Sequence, residues 1–225
     1  MTGPTGSEFD FDALYRGESP AEGVPPITSV PWDTKAPKEN VVAWEQAGLV
    51  HGHVLDIGCG LGDNAIYLAQ QGYRVTALDI SPTALITAER RAADAGVDVT
   101  FAVADATRLD GYDDVFDTVV DSGMFHCLSD DAKGSYAAAV HRATRAGATL
   151  LLGAFSDANL QHDNWQAAWV SEDTLRSSLD DGGWDITSLT TETIRVPGAA
   201  LAGSGDEGGA AEIDAAFFLV QAQRR

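Results

Sequence analysis

Short apolar runs alternate with longer stretches of helical spacing along this chain, from about residue 37 to residue 182. The first run, Val54-Leu55-Asp56-Ile57, reads as a buried β-strand. Further strands are expected over Arg74–Asp79, Val97–Val103, Val115–Val120 and Ala148–Phe155. Between them the pattern predicts helices: from Pro37 through Val41, Val42 and Trp44, through Ala65–Ala69, from Ser81-Pro82 onward, and from Asp130 to about Arg145. Ser171-Glu172-Asp173 caps another, which runs through Leu175 and Leu179. Such alternation argues for a parallel sheet with helices on both faces. Strands near 184–194 and 212–222 are expected to close it as an antiparallel edge pair. The predicted fold class is therefore α/β, a mostly parallel seven-stranded sheet with an antiparallel C-terminal edge pair.

Residues 1–36 are rich in Pro and Gly and lack periodicity, so they read as an extended arm with one short helix around 9–15. Tyr15 and Trp32 argue that this arm packs on something, because disordered tails are poor in aromatics. The expected organisation is an arm or lid over 1–36 and one domain over 37–225. Residues 157–170 read as a loop carrying Trp165 and Trp169. The Gly-Ala-rich, acidic segment from Pro197 to Ala211 reads as a mobile hairpin loop.

The chain has 225 residues, 44% of them hydrophobic, which suffices for one full core and leaves little for a second. No apolar run approaches the ~18 residues of a membrane span. The N-terminus is acidic and polar, unlike a secretory signal, and a cytoplasmic location is expected. Two cysteines, Cys59 and Cys127, make neither a metal cluster nor a disulfide framework. The formal net charge is −20, and lysine is confined to Lys35, Lys38 and Lys133. Such a surface repels phosphate backbones and anionic membranes, so neither a nucleic acid nor a membrane is an expected partner. Carboxylate excess with scarce lysine also suits a very salty cytoplasm; an ordinary acidic protein is the alternative.

The most informative stretch is Asp56-Ile57-Gly58-Cys59-Gly60-Leu61-Gly62. Three glycines at alternate positions behind a strand predict a tight turn whose backbone closes on a ligand, with the next helix pointing free N–H groups into it. Asp63 and Asn64 are expected to cap that helix. The dinucleotide fingerprint fails on spacing, since residue 63 is Asp where a third glycine is required. An acid at the strand end repels a pyrophosphate and attracts an ammonium, which favours a cationic, amino-acid-bearing nucleotide such as S-adenosylmethionine. Asp79 ends the next strand, about 20 residues beyond the turn, where an acid can accept from both ribose hydroxyls. Asp105 can accept from an adenine amino group, or serve as another cap, since Thr107 and Asp110 also suit a turn. Asp121 ends the fourth strand, next to Ser122-Gly123-Met124-Phe125-His126.

The segments VLDIGCGLG, TALDIS, VADAT and FDTVVDSGMFHCL resemble, in order, the motifs of class I S-adenosylmethionine-dependent methyltransferases. The resemblance implies a Rossmann-like fold. It also implies a cofactor set of Trp32, Asp56, Gly58, Gly60, Asp79, Ile80, Asp105, Ala106 and Asp121. Phe11-Asp12-Ala13-Leu14-Tyr15-Arg16-Gly17-Glu18 with Val30-Pro31-Trp32-Asp33 is similar to the lid of the thiopurine-methyltransferase-like branch. Within it the likeness is to bacterial heterocyclic-toxin methyltransferases, which implies a small planar heteroaromatic acceptor methylated on O, S or N. The glycine usual after Pro-Trp-Asp is replaced here by Thr34-Lys35-Ala36-Pro37.

Methyl transfer from a sulfonium needs alignment and exclusion of water, and a base only if the acceptor is still protonated. His126, after the fourth strand, is the catalytic candidate, as a base or an orienting donor. Tyr15, Phe125, Trp165 and Trp169 are candidate walls for a flat acceptor. No spacing suggests a metal. A monomer or homodimer is expected. A non-catalytic S-adenosylmethionine-binding module and a nucleotide-dependent oxidoreductase remain as alternatives.

Overall fold

A computed structural model describes residues 9–26, 29–159, 169–197 and 212–225. Trp165 and the expected loop over 198–211 lie outside the described residues. The strands are β1 (His53–Ile57), β2 (Arg74–Asp79), β3 (Thr100–Val103), β4 (Phe116–Ser122), β5 (Thr144–Phe155), β6 (Trp184–Pro197) and β7 (Glu212–Arg224). The helices are α1 (Phe11–Tyr15), α2 (Glu39–Gln46), α3 (Asp63–Gln70), α4 (Pro82–Ala95), α5 (Asp130–Ala143) and α6 (Glu172–Asp181). One sheet runs β3-β2-β1-β4-β5-β7-β6. Its first five strands are parallel, and β7 pairs antiparallel with both β5 and β6.

The alternation of side chains along each strand sorts the core onto two faces. Leu55, Val119, Leu150 and Leu152 pack with α5 and α6 through Tyr136, Val140, Leu175 and Leu179. Val54, Val120 and Leu151 pack on the other face with Val41 and Trp44 of α2 and with Ala65 and Leu68 of α3. The chain order reverses between β1 and β4, so a crevice opens at their carboxyl ends, where ligands bind in open α/β sheets.

Three boundaries differ from the sequence reading. The third strand starts at Thr100 because Gly96 ends α4 in the left-handed region and the Val97 N–H still bonds to the Ala92 carbonyl. β5 starts at Thr144, since Thr144 already pairs with Phe116 across a register shift. Gly62, at φ 85°, is the N-cap of α3, so Asp63 and Asn64 do not cap it. Asn64 instead accepts the Lys38 N–H, and Asp63 pairs with Arg91.

Candidate active site

The turn after β1 is stitched to the end of β2. The Gly58 and Cys59 N–H groups donate to the Leu78 carbonyl, and Gly60 N–H donates to Asp79 Oδ2 at 2.7 Å. Asp79 Oδ1 accepts from Ser81 N–H at 2.9 Å. Each oxygen keeps a second lone pair, so these bonds fix the carboxylate without using up its acceptor capacity. The φ values of Gly58 and Gly60, 69° and 52°, lie where side chains are strained. A Cβ on Gly58 would meet Met124 Cγ at 2.5 Å, and one on Gly60 would meet the Tyr15 hydroxyl at 2.8 Å.

Tyr15 and Trp32 thus stand directly over Gly60. Trp32 Nε1 donates to the Tyr15 hydroxyl at 2.9 Å, and the rings meet edge to face at 6.1 Å. The arm is held there from two sides. Asp12 accepts from Ser81 Oγ at 2.6 Å and from Thr83 N–H at 3.0 Å, at the start of α4. Lys38 Nζ donates to the Trp32 carbonyl at 2.9 Å.

Asp56 is 1% exposed, and its Oδ2 has no hydrogen-bond partner among the described residues. Burial, with the nearby carboxylate of Asp121, pushes its carboxyl up to about 7. Burial also raises Asp79. An orphaned buried oxygen among acids that resist ionisation is a place for a cation, and the glycine turn beside it is a cradle that any side chain would fill. The residues present therefore fit the cationic methyl donor implied by the motifs.

Two of the expected site residues are fully buried. Asp121 is fully buried with both oxygens engaged: Oδ1 accepts from the Met124 and Phe125 N–H groups, and Oδ2 accepts from the Tyr136 hydroxyl at 2.9 Å. It anchors the turn over Phe125–Cys127 from inside. Phe125 is fully buried against Tyr136 at 5.4 Å, so it belongs to the core and walls no pocket. Asp105 is exposed, and its Oδ1 accepts from the Thr107 N–H and hydroxyl, the turn foreseen as the alternative. Ile80 and Val103, 56% and 57% exposed, present apolar surface at the ends of neighbouring strands, and Ala106 is half-buried next to Asp105. A cavity of about 340 Å³ lined by Val103, Ala104, Asp105, Leu109 and Tyr112 opens at the start of the β3–β4 connection, where Val103 pairs with Asp79 and the Ala104 N–H donates to the Asp79 carbonyl at 3.0 Å.

His126 is buried beside the crevice, stacked edge to face on Phe155 at 4.9 Å. Phe155 also meets Trp169 at 6.2 Å and Phe217 at 5.1 Å, so His126 adjoins an aromatic cluster. The Phe155 N–H points at His126 Nδ1 at 3.5 Å, a long contact. Burial, helped by the positive charge of Lys133, brings the imidazole down to about 3, so it is neutral at physiological pH. Sequence reasoning missed Tyr136, Arg91 and Phe217. They lie on helices and a strand far along the chain, and nothing in their local pattern marks them.

The described residues hold no cluster of His, Cys, Asp and Glu suited to a metal, and no described helix is long and apolar enough to cross a membrane. A family model for a methyltransferase domain matches residues 54–147. The 2-heptyl-1-hydroxyquinolin-4(1H)-one methyltransferase of Mycobacteroides abscessus is 33% identical over 189 residues, which are 84% of this chain and 82% of that protein. An uncharacterized methyltransferase of Schizosaccharomyces pombe is 35% identical over 122 residues, 54% of this chain and 84% of its own length. A solved structure from work on the conversion of a disulfide bond into a thioacetal group during echinomycin biosynthesis is 36% identical, with a TM-score of 0.79 over 95% of this chain and 90% of that one. The motif order, the acidic glycine cradle and these likenesses agree: the chain belongs to the class I S-adenosylmethionine-dependent methyltransferases.

Proposed function

We propose that this enzyme methylates a small planar heteroaromatic acceptor on an O, S or N atom. The observation that carries the reading is the aromatic cluster in which Phe155 joins neutral His126 to Trp169 and Phe217, with His126 on a turn whose Met124 lies against Gly58. Flat rings bind flat rings by stacking and area burial. The relative from Mycobacteroides abscessus, named for a hydroxyquinolone acceptor, supports the same class.

Bound S-adenosylmethionine supplies an electrophilic methyl group on a sulfonium. Asp56 offers the cation a buried carboxylate, and Asp79 holds the turn closed while accepting from the ribose. Tyr15 and Trp32 cover Gly60 and exclude water. The neutral His126 ring carries its proton on Nε2 when Nδ1 accepts from the Phe155 N–H. In that tautomer Nε2 donates a hydrogen bond to the acceptor heterocycle and orients it. An acceptor hydroxyl acidic enough to ionise in water then needs no protein base.

The test is methyl transfer from radiolabelled S-adenosylmethionine to a panel of phenols, thiols and N-heterocycles that includes 1-hydroxyquinolin-4(1H)-ones. Turnover of planar hydroxylated heteroaromatics above all others is expected. Enzyme that binds the cofactor yet methylates none of them would overturn the acceptor class. His126→Ala should slow turnover by on the order of 10²-fold across pH 6–9 if the imidazole orients by donation, whereas a base would give a loss that shrinks as the acceptor ionises.

A further inference from the structure

Arg91 lies on α4, outside every motif, yet it joins the arm to the helix that leaves the glycine turn. Its guanidinium grips Asp33 as a fork, Nη1 to Oδ1 at 2.9 Å and Nη2 to Oδ2 at 2.8 Å. Nη1 also reaches Asp63 Oδ1 at 3.0 Å. Asp33 follows Trp32, whose ring holds the Tyr15 hydroxyl over Gly60, and Asp63 follows Gly62. The three charged side chains are 18–21% exposed, so solvent screens them less than a surface pair.

We infer that Arg91 is a positioning residue for methyl transfer: by bridging Asp33 and Asp63 it locks the Tyr15–Trp32 pair over the cofactor turn. The inference rests on the reading of Tyr15 and Trp32 as a lid. Its physical content is a sign change. With Arg91 present, two carboxylates are drawn to one fork. Without it they face each other, and the remaining counter-charges among the described residues are Lys38, whose charge lies near both and whose Nζ holds the Trp32 carbonyl, and Lys35, whose charge lies near Asp33. Arg91→Gln therefore converts attraction between arm and turn helix into repulsion. Asp33→Asn only removes the attraction. Arg91→Gln should thus be the worse single variant, and adding Asp33→Asn to it should restore part of the loss. A role confined to holding α3 against α4 through Asp63 predicts no such restoration.

The readout is dissociation of radiolabelled S-adenosylhomocysteine chased by an excess of unlabelled material. Arg91→Gln should speed release about tenfold and Asp33→Asn a few-fold, with the double variant slower than Arg91→Gln alone. Arg91→Lys should fall between wild type and Arg91→Gln. Arg176→Gln, which breaks an exposed pair with Glu172 on α6, should leave release unchanged. Tyr15→Ala separates the two readings. If it speeds release while Arg91→Gln and Asp33→Asn do not, the lid stands and the role of Arg91 falls. If none of the three speeds release, both fall. Additive behaviour of the double variant would also overturn the inference.

Discussion

Asp56→Asn removes a buried charge while keeping the size of the side chain. The Asp56 carboxyl sits at about 7 in the folded chain against an ordinary 3.8, because of burial and the neighbouring Asp121. At 1.36 kcal/mol per pH unit, keeping it ionised costs the folded state about 4 kcal/mol. The folded state binds the extra proton between those two values, so stability falls as pH rises through that window. Asp121, pushed up to about 6 by burial, acts in the same direction. His126, brought down to about 3, acts oppositely, and its effect is complete by about pH 6.5, its ordinary value. Asparagine abolishes the Asp56 contribution but leaves an amide to satisfy, which takes back about 1–3 kcal/mol. A net gain on the order of 2 kcal/mol at pH 8 remains, or about 6 °C in melting temperature for a chain of this size. The ligand-free variant should therefore melt higher than wild type at pH 8 and converge with it near pH 5. The same change should weaken S-adenosylmethionine binding about 10–100-fold through the lost charge-assisted contact. In wild type that affinity should rise between pH 6 and 8 as Asp56 ionises. Scanning fluorimetry and calorimetry over that range measure both. Melting curves with equal pH slopes in the two proteins, or unchanged affinity in the variant, would refute the assignment.

Gly60→Val should abolish cofactor binding in calorimetry while the chain stays folded, because its first carbon already reaches within 2.8 Å of the Tyr15 hydroxyl. Lys35 holds a left-handed φ of 54°, so Lys35→Gly should raise stability by about 0.5–1 kcal/mol, read by chemical denaturation. Asp79→Ala strips the acceptor from the Gly60 and Ser81 N–H groups and should weaken cofactor binding by on the order of tenfold or more in calorimetry. If the net charge of −20 is an adaptation to a salty cytoplasm, melting temperature should climb with KCl to molar concentrations, and a plateau near about 0.2 M would identify ordinary screening.

What could be read from the sequence was what neighbours along the chain determine. Apolar runs of strand length marked β1, β2, β4 and β5, and the acid-glycine spacing marked the turn, because strand, turn and helix are contiguous there. Local end geometry was less legible. Gly62 takes the cap position for which the sequence offers Asp63 and Asn64, since a left-handed glycine lets the chain enter α3 without a side-chain bond. Contacts across long separations left no trace. Arg91 and Asp33 are 58 residues apart, Asp12 and Ser81 are 69 apart, and neither pair has a periodic signature.

The difference between Asp56 and Asp121 follows from strand parity. Asp56 aligns with Val120 in the β1–β4 register, so it shares that residue's face, and Asp121 must point to the other. On its own face Asp121 meets α5 and the turn at Phe125, where a tyrosine hydroxyl and two backbone N–H groups satisfy it. That turn carries His126, so the buried acid fixes the imidazole against Phe155 by holding the backbone beneath it. Asp56 faces α3 and the glycine turn, where glycines supply no side-chain donors. One oxygen is left without a partner among the described residues. Two acids that look equivalent at the ends of adjacent strands are thus set differently: Asp121 is satisfied and holds the turn that carries His126, and Asp56 is the one that the proposed reading assigns to the ligand.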